Sequence, residues 1–261
     1  MLVLTENLLL IQLATALEDD TMMIEADVSA GDDGQPIMAH PPDTQSDLSL
    51  TLFLETVIQA TESGTKKGVK LDFKSLDILQ PSLETLRQFQ SRLMFPVWLN
   101  ADILPGPSGG PPVEAAVFLR LCTSQFPSAT LSTGFTTGSG LGQYSTQMLE
   151  ELHFTLIEAG VTAPVTVPLR ASLAARSREE ILSYLEMVDQ DDTYPATITL
   201  WSGSQDSVDM EQLYRLVREV GRDRVYVDVP FPYDPPVRTD KSLNGFIINC
   251  LNSVLSFFSV L

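Results

Sequence analysis

Short extended runs of apolar residues alternate along this chain with stretches in which apolar positions recur every three or four residues. Leu8 to Leu17 is apolar nearly all round and closes in Glu18-Asp19-Asp20, so it reads as a short buried helix. Met22 to Val28 reads as a strand, Gly31-Asp32-Asp33-Gly34 as a tight turn, and Pro36 to Ala39 as an extended return that reaches His40 before Pro41-Pro42. From Ser46 a helical face of Leu50, Phe53, Leu54, Val57 and Ile58 runs to Gly64.

The same rhythm continues to the far end. Predicted strands are Gly68 to Lys74, Pro96 to Ile103, Ala129 to Phe135, Val165 to Arg170, Ala196 to Trp201 and Arg224 to Val229. Helical patterns fill the gaps at Ser82 to Leu93, from Val113, and at Ser145 to Ala159, Arg178 to Met187 and Val208 to Val220. A strand then a helix, repeated about seven times at a spacing of roughly 30 residues, predicts a parallel α/β fold. Seven strands of eight suit a (β/α)8 TIM-like barrel, incomplete at one strand, and the Gly-rich first turn of a doubly wound sheet is missing. Residues 1–242 are expected to form that one domain, and 243–261 a hydrophobic C-terminal segment.

Polar residues fall where such a barrel places function, at the C-terminal ends of strands: Glu25 and Asp27, Asp72 and Lys74, Asn100 and Asp102, Thr136, Arg170, Trp201, and Asp228. Alternation sets Glu25 and Asp27 on one face of their strand, and Lys70, Asp72 and Lys74 on one face of theirs. Carboxylates on an otherwise apolar strand call for a neutralising partner. Glu25, Asp27 and Asp72 offer hard oxygens suited to a divalent cation, Mg2+ or Ca2+. His40 is the candidate general acid or base, and Lys74 the candidate stabiliser of negative charge. Arg170, Asn100 and Trp201 are candidate substrate-binding residues. Together these residues suit metal-assisted cleavage of a phosphodiester.

A net charge of -18 and a pI of about 4.3 exclude non-specific binding to nucleic-acid duplexes, which needs a cationic surface. A small phosphate ester remains possible if a cation reverses the local field. Cys122 and Cys250 are too few and too far apart in sequence to define a disulfide framework or a zinc site. Ala14-Thr15-Ala16 imitates a signal-cleavage site, but Glu6 and no basic residue precedes it, so the core-helix reading is preferred. Gly245 to Leu261 is nearly uncharged and is expected either to contact a membrane or to fold back over the core.

Ile24-Glu25-Ala26-Asp27-Val28 with Pro36-Ile37-Met38-Ala39-His40, and Leu71-Asp72-Phe73-Lys74, resemble the second- and third-strand signatures of glycerophosphodiester phosphodiesterases. Those blocks, extended through His40-Pro41-Pro42, Lys74-Ser75-Leu76 and Asn100-Ala101-Asp102-Ile103-Leu104-Pro105-Gly106-Pro107, are more closely similar to the menorin family. The resemblance implies a barrel of the phospholipase C-like phosphodiesterase superfamily, in proteins that are extracellular or membrane-associated, with roles in neuronal dendrite patterning and retina. It also implies a first strand with a Trp-x-His-Ala-x-Asn motif, which this sequence lacks, so His40 is without the partner of a two-histidine mechanism.

Three expectations follow. One is a divergent phosphodiesterase acting on a small phosphodiester, weakened by that loss. Another is an extracellular interaction protein that binds a protein partner without catalysis. The last is a truncated product with an exposed sheet edge, which Met1 to Leu4 or the apolar end would fill.

Overall fold

The computed structural model describes residues 8–138, 142–203, 205–229 and 248–250. The chain divides into two compact units, residues 1–100 with 248–261, and residues 101–247. Both are parallel α/β structures in which strands alternate with helices.

The first unit runs α1 (Leu8–Glu18), β1 (Met23–Ala30), β2 (Pro36–Met38), α2 (Leu50–Glu62), β3 (Gly68–Phe73), α3 (Leu79–Phe89) and the opening half of β4 (Val97–Pro105). Helix α2 buries the five residues that its periodicity predicts, Leu50, Phe53, Leu54, Val57 and Ile58. Ser49 caps its start by accepting a hydrogen bond from Leu52 N, and Gly64, at φ +105°, lets the chain turn out of its end. Burying each such side chain is worth about 1.5–3 kcal/mol, so this face anchors α2 far more strongly than the cap, worth about 1 kcal/mol. Lys67 is buried at the entry to β3, where its ammonium donates to the Asp19 carbonyl and carboxylate and to Thr21 Oγ1. That clasp ties the end of α1 to the start of β3.

The pairing of β1 sets the unit's frame. On one side it pairs with β3 in parallel, Glu25 beside Lys70 and Asp27 beside Asp72, and β3 pairs onward with β4, Asp72 beside Asn100. The other side of β1 is shared. β2 returns antiparallel along Val28 to Ala30 after the expected turn, and β9 (Ile248–Cys250) runs parallel beside Met23 to Glu25. Three residues of the apolar C-terminal segment, Ile248–Cys250, therefore supply strand pairing to β1. Met1 to Leu4 and the rest of that segment lie outside the described residues. Among the described residues no helix is long and apolar enough to cross a membrane.

The second unit contains the rest of β4, α4 (Ala115–Gln125), β5 (Thr130–Thr136), α5 (Thr146–Glu158), β6 (Val165–Arg170), α6 (Ala171–Ala174), α7 (Arg178–Asp191), β7 (Ala196–Trp201), α8 (Met210–Val220) and β8 (Val225–Asp228). Its strands lie in chain order, and β5 to β8 pair in parallel. The boundaries of β6 and β7 agree with the sequence pattern. Helix α7 runs four residues past the expected Met187 because Asp192, not a glycine, ends it in the left-handed conformation at φ +48°. The one-turn helix α6 was not expected; its four residues are too few for periodicity to register. In the glycine loop after β5, Gly138 packs so closely on the Ser108 carbonyl that a Cβ would clash, while 139–141 lie outside the described residues.

The ladder of β9 on β1 is worth about 2 kcal/mol from its backbone hydrogen bonds, equivalent to roughly 4–8 °C of melting temperature in a chain of this size. A chain ending before Ile248 is expected to melt lower by that amount in a calorimetric scan. An unchanged melting temperature would show that β9 contributes nothing to stability.

Candidate functional site

Three adjoining strands of the first unit build a charged cluster. Strand alternation turns Glu25 and Asp27 of β1 to one face, and the register of β3 brings Lys70 alongside Glu25 and Asp72 alongside Asp27. Lys70 Nζ lies 3.0 Å from Glu25 Oε1. Lys74, one residue past the end of β3, reaches back between two carboxylates, with Nζ 2.9 Å from Asp27 Oδ1 and 2.6 Å from Asp72 Oδ2. Asn100 of β4 donates its Nδ2 to the remaining Asp72 oxygen at 2.6 Å.

This geometry separates the two aspartates. Burial raises the Asp27 carboxyl from its ordinary 3.8 to about 6; the Asp72 and Glu25 charges add to the rise, and Lys74 only partly offsets it. Burial acts on Asp72 in the same direction, but Lys74, Lys70 and the Asn100 amide outweigh it and hold this carboxyl below the usual range. The Lys74 ammonium is pushed above its ordinary value, since the two aspartates outweigh its burial. Three carboxylates against two ammoniums leave these five groups one positive charge short. The donor oxygens are of the kind a hard divalent cation takes. Among the described residues no three His, Cys, Asp or Glu side chains stand ready-made around a cation position, and the Lys74 ammonium lies between Asp27 and Asp72.

His40 follows β2, which β1 holds through the Ala39 N–H to Asp27 carbonyl bond. Its ring is exposed, and Nδ1 lies 2.7 Å from the Pro41 carbonyl. A carbonyl only accepts, so Nδ1 carries the hydrogen, and in the neutral ring Nε2 is the bare, basic nitrogen.

The second unit has its own constellation. The register aligns Arg170, Trp201 and Asp228 across the ends of β6, β7 and β8. Arg170 donates Nε and Nη2 to the two oxygens of Asp206, at 2.8 and 2.6 Å, and its guanidinium carbon lies 5.2 Å from the Trp201 ring centroid. Tyr144 Oη accepts from Arg170 N, and Gly203 N donates to Asp206. Any anion that Arg170 holds there must compete with Asp206.

Menorin N-terminal domain, as a family model, matches residues 10–234. The chain belongs to the menorin family. It is also 38% identical over 226 residues to Protein FAM151B of Homo sapiens, an alignment covering 83% of this chain and 78% of that protein. The matched region contains every candidate site residue named above.

Sequence reasoning placed Glu25, Asp27, Asp72 and Lys74 on strand faces that the structure brings together, and Asn100 beside them, where it orients Asp72. It left Lys70 out of the site, although the alternation of Lys70, Asp72 and Lys74 was legible; only the register reveals that Lys70 faces Glu25. Asp206 was missed because it sits in the loop five residues beyond Trp201, where no periodicity marks it. His153, read from sequence as lying on a helix, is fully buried with both ring nitrogens engaged, Nδ1 by Tyr194 Oη and Nε2 by Asp191.

Because the folded-state value of Asp27 lies above its unfolded one, its contribution to stability is complete below about pH 4 and is lost as the pH rises through about 6. Carbon-13 NMR titration is expected to find the Asp27 carboxyl with a midpoint near 6 and Asp72 still ionised below the ordinary carboxylate range. Ordinary midpoints for both would rule out the charge arrangement described.

Proposed function

We propose that this chain carries a phospholipase C-like site that binds and hydrolyses a small phosphodiester with the help of a divalent cation. The observation that carries the reading is the bridge that Lys74 makes between Asp27 and Asp72, beside Glu25, on neighbouring parallel strands. Seven parallel strands interleaved with helices support a (β/α)8-type barrel as the framework, with β9 standing in part where a first strand would pair with β1.

Bound Mg2+ or Ca2+ would offset the charge of the phosphodiester and make an attacking hydroxyl more acidic, with Glu25, Asp27 and Asp72 holding it. The rest of the chemistry belongs to the side chains. Lys74 donates to a phosphoryl oxygen, where its charge counters the negative charge that grows at phosphorus. The bare Nε2 of His40 accepts the proton of the attacking hydroxyl as its oxygen bonds to phosphorus. The bond to the departing alkoxide breaks, and that oxygen takes a proton from solvent. Asn100 keeps Asp72 in place throughout.

A second reading keeps the barrel as an extracellular binding protein of the menorin type, acting in neuronal development without catalysis. It is favoured by the ion pairing that already engages the three carboxylates within the chain.

Glycerophosphodiesters and cyclic phosphates, assayed with MgCl2 or CaCl2, separate the two. Hydrolysis that falls at least about 100-fold in Asp72→Asn is expected, since a charged group that stabilises the transition state is worth that much. Equal rates in the variant, or no turnover by the folded chain with either cation, would overturn the enzymatic reading.

A further inference from the structure

Arg170, in the second unit, is nearly buried and only partly engaged. Its Nε and Nη2 each donate to one oxygen of Asp206, which uses two of the five guanidinium N–H groups. The other N–H groups, both on Nη1 and one on Nη2, meet no acceptor among the described residues, although the side chain is only 10% exposed. Charged donors held away from bulk water without an acceptor are costly, so a site that keeps them there is set for an acceptor from outside. The guanidinium is also held still. Tyr144, fully buried against Phe135, accepts from Arg170 N and donates its own N–H to Ser177 Oγ, while Gly203 N fixes Asp206. A Cβ on Gly203 would lie 3.2 Å from Arg170 Nη2, so the loop backbone passes close to the guanidinium there.

Charge decides which acceptor fits. Asp206 already meets the Arg170 charge with two charge-assisted bonds, and an anion brought to the same guanidinium would stand beside that carboxylate. A neutral oxygen meets no such repulsion. Trp201 supplies the other half of the surface: the Arg170 guanidinium carbon lies 5.2 Å from its ring centroid, and the half-buried ring leaves part of its apolar surface to solvent. Donors beside a flat apolar surface match a sugar ring, which carries hydroxyl oxygens around its rim and C–H groups on its face.

We propose that the second unit carries a carbohydrate site at the C-terminal ends of β6 and β7, where Arg170 donates to hydroxyl oxygens of an uncharged pyranose and Trp201 packs against its C–H face. Asp206 is the positioning residue: it aims the guanidinium and cancels the charge that would otherwise draw phosphate. The site lies wholly within the second unit, so it stands or falls separately from the phosphodiester reading.

The nitrogen-15-labelled chain, titrated with methyl β-D-glucopyranoside, methyl β-D-galactopyranoside, N-acetylglucosamine and, separately, inorganic phosphate, tests the assignment by NMR. Trp98 and Trp201 are the two tryptophans, and Trp201→Phe identifies which indole N–H signal belongs to Trp201. At least one sugar is expected to shift the Trp201 indole and Arg170 Nε–H signals but not the Trp98 indole, with a Kd of about 1 mM or tighter. Saturation transfer to that sugar should be strongest on the C–H protons of one ring face. Trp201→Phe, which keeps an aromatic surface, should weaken binding several-fold, and Trp201→Ala at least about tenfold. Phosphate should leave the wild-type signals in place and move them in Asp206→Asn. No shift from any of the three sugars, sugar binding undiminished in Trp201→Ala, or phosphate moving the Trp201 and Arg170 signals of the wild type overturns the proposal.

Discussion

The register between β1 and β3 is the constraint on which the first unit's chemistry depends. It sets Glu25 beside Lys70 and Asp27 beside Asp72, so carboxylates that would be costly alone are shielded from water in the company of ammoniums. A slip of one residue would turn every one of these side chains to the opposite face and bring apolar residues in their place. The apolar face of the same strands, with Ile24, Val28, Val69, Leu71 and Phe73 buried, opposes such a slip. Packing on one face thus holds the electrostatic arrangement on the other.

How much of this was legible in the sequence follows from what alternation can and cannot tell. Period-two alternation placed Glu25 with Asp27 and Asp72 with Lys74, and the helical face of α2 was readable residue by residue. Alternation is local, however, and pairing between strands is not. That Lys70 belongs to Glu25 and Lys74 to both aspartates depends on which residues lie side by side, which only the folded sheet decides. For the same reason alternation could name Asn100 a candidate for substrate without showing that its amide donates to Asp72. Arg170 was assigned to substrate binding, and the loop that brings Asp206 to its guanidinium carries no pattern that announces it.

The edge of β1 shows a related economy. Two short strands of opposite direction divide it, β2 along one half and β9 along the other, so an edge on the strand that bears Glu25 and Asp27 is covered by pieces from distant parts of the chain. Membership of the menorin family covers the stretch that carries these motifs. The function proposed for them rests on the bridge that Lys74 makes between Asp27 and Asp72, beside Glu25, on neighbouring parallel strands.

The most direct test of that account is a crystal soaked with MnCl2 and measured at a wavelength where manganese scatters anomalously. The account predicts a single anomalous peak within coordination distance of Glu25, Asp27 and Asp72. A map with no peak there, and Lys74 still bridging the two aspartates at high manganese concentration, would contradict it.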